Sequence, residues 1–137
     1  MYPAEIVEPC RNDLIEAGVT ELRTSTEVDS VLKNAQGTAL VVVNSVCGCA
    51  AGAARPALRI ALGHGRLPAK RVSVFAGVDR EATERARSYM HGYPPSSPSI
   101  ALFRDGKLVH MMERHQIEGR SPQEIAYDLV EAFDEFC

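Results

Sequence analysis

The chain has 137 residues, of which 45% are hydrophobic and 24% charged, a composition typical of one folded domain. Fifteen basic against eighteen acidic residues give a formal charge of −3, which argues against a nucleic-acid partner. No apolar segment approaches the roughly 18 residues of a membrane span, and the first residues do not resemble a signal peptide, so we expect a cytoplasmic protein without a membrane partner.

The predicted elements begin with a helix over residues 4–17. Its apolar stripe recurs every four positions, at Ile6, Cys10 and Leu14, and this spacing places Cys10 in the core. A short strand is expected over 21–23. Both elements precede the part of the chain whose order defines the fold.

The second helix and the clearest strand follow. Thr24 and Glu27 have the spacing of a capping box, which predicts a helix to about residue 35. The strand over 38–46 contains the run ALVVV, which is apolar without alternation. Such a pattern is typical of a strand that is buried on both faces.

A second half with a hairpin completes the chain. Small, alanine-rich residues predict a helix from Cys47 to about Leu62, with a kink at Pro56. The remaining predicted elements are a strand over 71–76, a helix capped by Asp79 and running to about Met90, a loop over 92–99, hairpin strands over 99–104 and 107–112 around Asp105 and Gly106, and a last helix capped by Ser121 and Glu124.

The order of these elements indicates the fold class. From residue 38 it is strand, helix, strand, helix, hairpin, helix, which makes a mixed central sheet flanked by helices on both sides. We therefore predict an α/β thioredoxin-like fold with an N-terminal helical extension. The whole chain, residues 1–137, is expected to form a single domain of this kind.

The segment Cys47-Gly48-Cys49 falls where the predicted strand gives way to a helix. Backbone N–H groups at a helix start favour a thiolate, which is the nucleophile in disulfide exchange. We therefore predict that Cys47 and Cys49 are catalytic and that the pKa of Cys47 is moderately lowered. Arg55 and Arg59 lie too far along the helix to contribute strongly.

The one-residue spacer between the cysteines also bears on their reactivity. A disulfide within CxC closes a smaller ring than one within CxxC, and departures from preferred disulfide geometry make the bond easier to reduce. We expect an exchanging or isomerising pair. Alternatively, an extended segment holds the two thiols apart and Cys47 works through mixed disulfides. Asn44 and Ser45 either tune Cys47 by hydrogen bonding or only satisfy the end of the strand.

Pro98 is a second candidate for the site. It begins the predicted strand PSIALF and stands eight residues before Gly106, as the cis-proline does before the hairpin glycine in many thioredoxins. We predict a cis Ser97–Pro98 bond facing the cysteines. Ser97 and Pro98 would then bind substrate, with the polar groups of Ser97 free to pair with an extended substrate chain.

Three segments carry a resemblance to a known family: VVVNSVCGCAAGAARPA, YPPSSPSIALFRDGKLVHMMERHQIEG and the ending AFDEFC. They resemble the bacilliredoxins, thioredoxin-like bacterial proteins with a CGC active site, over essentially the whole chain. The resemblance implies exchange of mixed disulfides between client proteins and the small thiol bacillithiol, or disulfide isomerisation, without a bound cofactor. It implies that Cys47 attacks, that Cys49 resolves, and that Pro98 is the cis-proline.

Alternative interpretations of the cysteines remain open. A metal or iron–sulfur carrier could use the two thiolates of the CGC segment, although a closed site needs more ligands. We predict no metal site, because the chain has no second cysteine pair and its histidines are scattered, at His64, His91, His110 and His115. Cys137 could be a surface thiol, a packed residue or an accessory redox cysteine.

Overall fold

A computed structural model describes residues 2–137, in which no helix is long and apolar enough to cross a membrane. The helices are α1 (Ala4–Glu16), α2 (Ser25–Leu32), α3 (Arg55–Ala61), α4 (Arg80–Ser88) and α5 (Pro122–Phe136). The strands are β1 (Thr20–Glu21), β2 (Thr38–Asn44), β3 (Lys70–Phe75), β4 (Ser99–Arg104) and β5 (Lys107–Met112). A π-helical turn at Ala50–Ala54 leads into α3, and a 3₁₀ turn at Arg114–Gln116 follows β5.

The five strands form one mixed sheet in the order β1-β3-β2-β4-β5. Strand β2 pairs parallel with β3 and antiparallel with β4, and β4 pairs antiparallel with β5. Strand β5 therefore runs in the same direction as β2. As a result, the residues after β2, those before β4 and those after β5 all lie at one edge of the sheet.

Strand β2 is buried on both faces, as its apolar run predicts. Leu40 and Val42 pack into the core beside α3 and α5. Val41 and Val43 pack into the opposite core, beside α2 and α4. The alternation follows from the two-residue period of a strand. It gives the two-sided helical covering that was expected and confirms the α/β architecture.

Helix α1 differs in detail from its prediction. Ile6 is 47% exposed, whereas Val7, Cys10 and Leu14 are buried. Arg11 is also buried, and its guanidinium pairs with the carboxylates of Glu21 in β1 and of Asp79 just before α4. The Asp79 carboxylate accepts from Arg11 Nη1 at 2.9 Å and makes no side-chain cap at α4, so the predicted capping role is wrong.

The predicted boundaries around β1, β2 and α3 also shift. The first strand lies at Thr20–Glu21, and β2 ends at Asn44 rather than at residue 46. At Pro56, where a kink was predicted, the helical segment changes from the π form to the α form. Pro56 lies in the first turn of α3, where its missing N–H costs little, and the preceding helical residues take the wider π form.

Candidate active site

Cys47 and Cys49 lie between the end of β2 and the helical segment that precedes α3. The Cys47 carbonyl accepts hydrogen bonds from the N–H groups of Ala50 and Ala51, both at 3.1 Å, so helical geometry begins here. Both cysteines are half-buried and Gly48 is exposed. Within residues 2–137 all four cysteines are free thiols. Two partly accessible cysteines therefore lie at a helix start.

The pKa of Cys47 lies below its ordinary value, in the predicted direction. Burial alone would raise it, but four favourable interactions outweigh burial. In decreasing order they are a hydrogen bond from the Ser45 side chain, the backbone N–H groups of Ala50 and Cys49, and the positive charge of Arg114. Helix-start N–H groups thus contribute as expected, although the Ser45 hydroxyl contributes more than either of them.

A buried network holds the backbone that leads into Cys47. The Arg55 guanidinium donates to the Ser45 carbonyl at 2.7 Å, to Asn44 Oδ1 at 3.1 Å and to Asp13 Oδ2 at 3.0 Å. Asn44 in turn donates to the carbonyl of Cys10 at 3.1 Å and accepts from the Ser45 N–H at 2.9 Å. Arg55 is not among the groups that shift the pKa of Cys47, but it fixes the segment from which Cys47 extends.

The second candidate, the Ser97–Pro98 bond, is cis as predicted. Ser99 pairs with Val43 near the end of β2, which places the preceding loop at the same sheet edge as the cysteines. Pro98 is buried and Ser97 half-buried. The expectation that the polar groups of Ser97 are free is only partly correct, because its carbonyl accepts from Arg114 Nη1 at 3.2 Å. One lone pair of that carbonyl remains for another donor.

Arg114 is a site residue that the sequence interpretation missed. It lies two residues after the end of β5, and its guanidinium reaches Glu118, the carbonyl of Ser97 and, at 3.8 Å, the sulfur of Cys49. The missing signal was topological. Because β5 runs parallel to β2, the first residues after the predicted hairpin had to reach the edge that carries the cysteines.

The other two cysteines lie apart from this edge. Cys10 is buried, and its thiol donates to the Ile6 carbonyl at 3.3 Å, which confirms the predicted core position. Cys137 contacts Thr38, the first residue of β2, about 20 Å along the strand from the CGC end. A direct disulfide from Cys137 to Cys47 or Cys49 is therefore too long to form in this fold.

Metal ligation was the alternative use of the CGC segment. Among residues 2–137 no group of three or more His, Cys, Asp or Glu side chains could hold a metal ion. Cys47 and Cys49 therefore offer two sulfur ligands without a third ligand from the described part of the chain. The groups that surround them are hydrogen-bond donors and a cation, which suit an anionic sulfur.

A mixed sheet, a cysteine pair at the helix start beyond its central strand and a cis-proline at the same edge define the class. The protein is a thiol–disulfide redox protein with a thioredoxin-like fold. A mutant thioredoxin from Halobacterium salinarum NRC-1 has a similar structure, with a TM-score of 0.53 over 83% of this chain and 88% of that chain. The two sequences are 18% identical, so this likeness bears on the fold.

Sequence relatives identify the family. The family model described as "Disulphide isomerase" matches residues 2–137. Bacilliredoxins from Koribacter versatilis and Staphylococcus saprophyticus are 51% and 53% identical over all of this chain and 94% of their own lengths. A bacilliredoxin from Cytophaga hutchinsonii is 54% identical over 98% of this chain and 99% of its own. The chain belongs to the bacilliredoxin family, as the resemblance implied.

Proposed function

We propose that the protein is a thiol–disulfide oxidoreductase that reduces mixed disulfides between client proteins and bacillithiol, or isomerises protein disulfides, in the cytoplasm. Cys47 is the attacking cysteine and Cys49 the resolving one. Bacillithiol is a co-substrate in this proposal, and no bound cofactor is required. The observation that carries the proposal is the position of Cys47 at a helix start, at the same end of the sheet as the cis Ser97–Pro98 bond.

The proposed reaction has two exchange steps. The Cys47 thiolate attacks one sulfur of a mixed disulfide; the old S–S bond breaks, and the other sulfur leaves as a thiolate that takes up a proton. The Cys49 thiolate then attacks the Cys47 sulfur and releases the second thiol. The resulting Cys47–Cys49 disulfide returns to the dithiol at the expense of a small thiol such as bacillithiol.

The unequal surroundings of the two sulfurs support this division of labour. Cys47 has helix-start N–H groups and the Ser45 hydroxyl on its sulfur, which favour the anion needed for attack. Cys49 packs partly against the core beside α3 and α5, so it is the less free of the two. We place the substrate chain along Ser97 and Pro98, where backbone pairing would give affinity with little side-chain specificity.

Mass spectrometry after incubation with bacillithiol disulfide tests the proposal. The wild-type chain should end as the Cys47–Cys49 disulfide. Cys49→Ser should accumulate a bacillithiol adduct on Cys47, and Cys47→Ser should form none at an appreciable rate. A stable adduct on Cys49 in the Cys47→Ser protein, with none on Cys47 in Cys49→Ser, would reverse the roles of the two cysteines.

The isomerase activity needs its own assay, because the same pair could serve either reaction. Recovery of a scrambled disulfide-bonded protein should require Cys47 and tolerate Cys49→Ser at a lower rate, since isomerisation begins with attack alone. Reduction of a bacillithiolated client should need both cysteines unless free bacillithiol resolves the adduct. The metal content of the purified protein tests the alternative that the chain is a metal or iron–sulfur carrier. A stoichiometric bound metal would contradict the redox proposal.

A further inference from the structure

We propose that Arg114 is a positioning residue for Cys49 and that it accelerates the resolving step, in which Cys49 attacks the Cys47 sulfur. This inference rests on the proposed function and deepens it. In this proposal, different groups assist the two steps of exchange. Backbone N–H groups and the Ser45 hydroxyl stabilise the Cys47 thiolate for attack, and the guanidinium of Arg114 assists Cys49 in resolution.

The first argument is the way the guanidinium divides its donors. Nε pairs with Glu118, Nη1 donates to the Ser97 carbonyl at 3.2 Å, and Nη2 donates to Cys49 Sγ at 3.8 Å. A planar guanidinium fixes the relative directions of these donors. The sulfur of Cys49 is therefore held beside the loop on which we place the substrate.

The second argument is that Arg114 is itself held in place. Its backbone N–H contacts Ser96 Oγ at 3.4 Å, and its partner Glu118 follows one helical turn later. Arg87 donates to the Ser96 carbonyl at 3.3 Å from α4, so the loop before the cis bond is braced from two sides. Arg114 and the loop that it contacts are therefore both held in place, which fixes the guanidinium beside Cys49.

The third argument separates the two cysteines. Among the favourable influences on the pKa of Cys47, Arg114 is the smallest and acts through charge alone. By contrast, Arg114 donates a hydrogen bond directly to the sulfur of Cys49. The hydrogen bond to Glu118 raises the pKa of Arg114 most, followed by the charge of Cys47 and then that of Cys49, so the hydrogen bond and not the charge singles out Cys49.

The chemistry of resolution explains why a cation at Cys49 helps. In this step a bond forms between the Cys49 and Cys47 sulfurs, the bond from Cys47 to the bound thiol breaks, and the leaving thiolate takes a proton from water. A cation within hydrogen-bond reach stabilises negative charge on sulfur. The contact also restricts the Cys49 side chain to the site, so less rotational freedom is lost before its sulfur attacks.

The test measures the two steps separately, with bacillithiol disulfide as the probe and rapid-quench mass spectrometry as the readout. Attack is the rate of adduct formation in Cys49→Ser, with and without Arg114→Gln. Resolution is the rate at which the Cys47 adduct converts to the internal disulfide in chains that retain Cys49. Arg114→Gln should slow resolution about tenfold and attack less than about twofold.

Two variants guard against a structural explanation. Arg114→Lys keeps the charge without the planar fork, so it should recover part of the resolution rate. Arg85→Gln is a matched loss of one positive charge, from a side chain that is 48% exposed on α4 and paired with Asp29. It should resolve at the wild-type rate.

The outcomes distinguish this inference from the proposed function. If the wild-type chain forms neither an adduct nor the internal disulfide, the proposed function is wrong. If the wild-type chain completes both steps and Arg114→Gln resolves at the same rate, Arg114 does not position Cys49. Equal slowing of attack and resolution in Arg114→Gln would likewise overturn its assignment to Cys49.

Discussion

A cysteine lies at each end of strand β2, and the pKa of the thiol shifts in opposite directions at the two ends. At its carboxyl end, hydrogen bonds and the charge of Arg114 lower the pKa of Cys47 in spite of burial. Beside its amino end, burial raises the pKa of Cys137, although Thr38, Arg104 and Arg66 act in the opposite direction. The two thiols are both half-buried, so exposure alone does not decide their ionisation.

The two ends also differ in the backbone groups that they offer to sulfur. Cys47 lies where a helical segment begins, and the backbone N–H groups of Ala50 and Cys49 help to lower the pKa of its thiol. Cys137 follows the last residue of α5, an end at which backbone carbonyls rather than N–H groups are left over. A strand-to-helix junction therefore supplies the donors that a thiolate needs, and a helix end does not.

The largest expected effect is the loss of exchange when Cys47 is replaced. Cys47→Ser should reduce the rate of bacillithiol-disulfide exchange by at least about a thousandfold, as expected when a nucleophile is removed. Cys137→Ser should exchange like the wild-type chain, because the Cys137 thiol lies about 20 Å from the CGC end of β2. A comparable loss of exchange in both variants would show that the two cysteines do not differ in their role.

The next effect concerns stability at the CGC end. Arg55→Met should lower the free energy of unfolding by about 2–4 kcal/mol, because Asn44, Ser45 and Asp13 lose a buried donor. Urea denaturation under reducing conditions measures this. The matched control is Arg66→Met near Cys137, where an exposed side chain makes one long contact with a carbonyl and about 0.5 kcal/mol or less is expected.

A smaller effect should follow from removing the hydroxyl beside the reactive sulfur. Ser45→Ala should slow alkylation of Cys47 by iodoacetamide at pH 7 about two- to fivefold, since one hydrogen bond to the thiolate is lost. Peptide mapping by mass spectrometry resolves each cysteine. Thr38→Val is the counterpart at the other end and should leave Cys47 unaffected. An unchanged rate of Cys47 alkylation in Ser45→Ala would show that the Ser45 hydroxyl does not promote ionisation of Cys47.

The smallest effect is a pH dependence of stability with opposite signs at the two ends. The folded pKa of Cys47 is lowered, so its contribution is present above the ordinary value of 9.0 and is lost as pH falls through the folded pKa. The folded pKa of Cys137 is raised, so its contribution is present below 9.0 and is lost as pH rises through the folded value.

Urea titrations of reduced protein across this pH range give the measurement. The stability difference between wild type and Cys47→Ser should grow in favour of wild type as pH rises towards 9.0. The difference between wild type and Cys137→Ser should shift against wild type above that value. Parallel curves for the two variants would show that the ends do not differ in ionisation.

The sequence by itself determined the sheet and the location of the cysteines. The run ALVVV, the capping pairs at Thr24 and Ser121, and the Asp105-Gly106 turn are local signals, and each acts through a few neighbouring residues. Their order along the chain leaves few topologies open. The CGC segment at the predicted strand-to-helix junction and the cis bond before β4 followed from that order and from the resemblance to bacilliredoxins.

What only the tertiary structure decided depends on residues that are distant in the chain. Asp79 pairs with Arg11, Arg55 binds the backbone of Ser45, and Arg114 reaches Cys49 across 65 positions. The local sequence does not determine which partner a long charged side chain will have. The partner is decided when packing brings one group within hydrogen-bond distance. The charge environment of the two site cysteines was therefore fixed by strand direction and helix packing, which no local pattern around the CGC segment encodes.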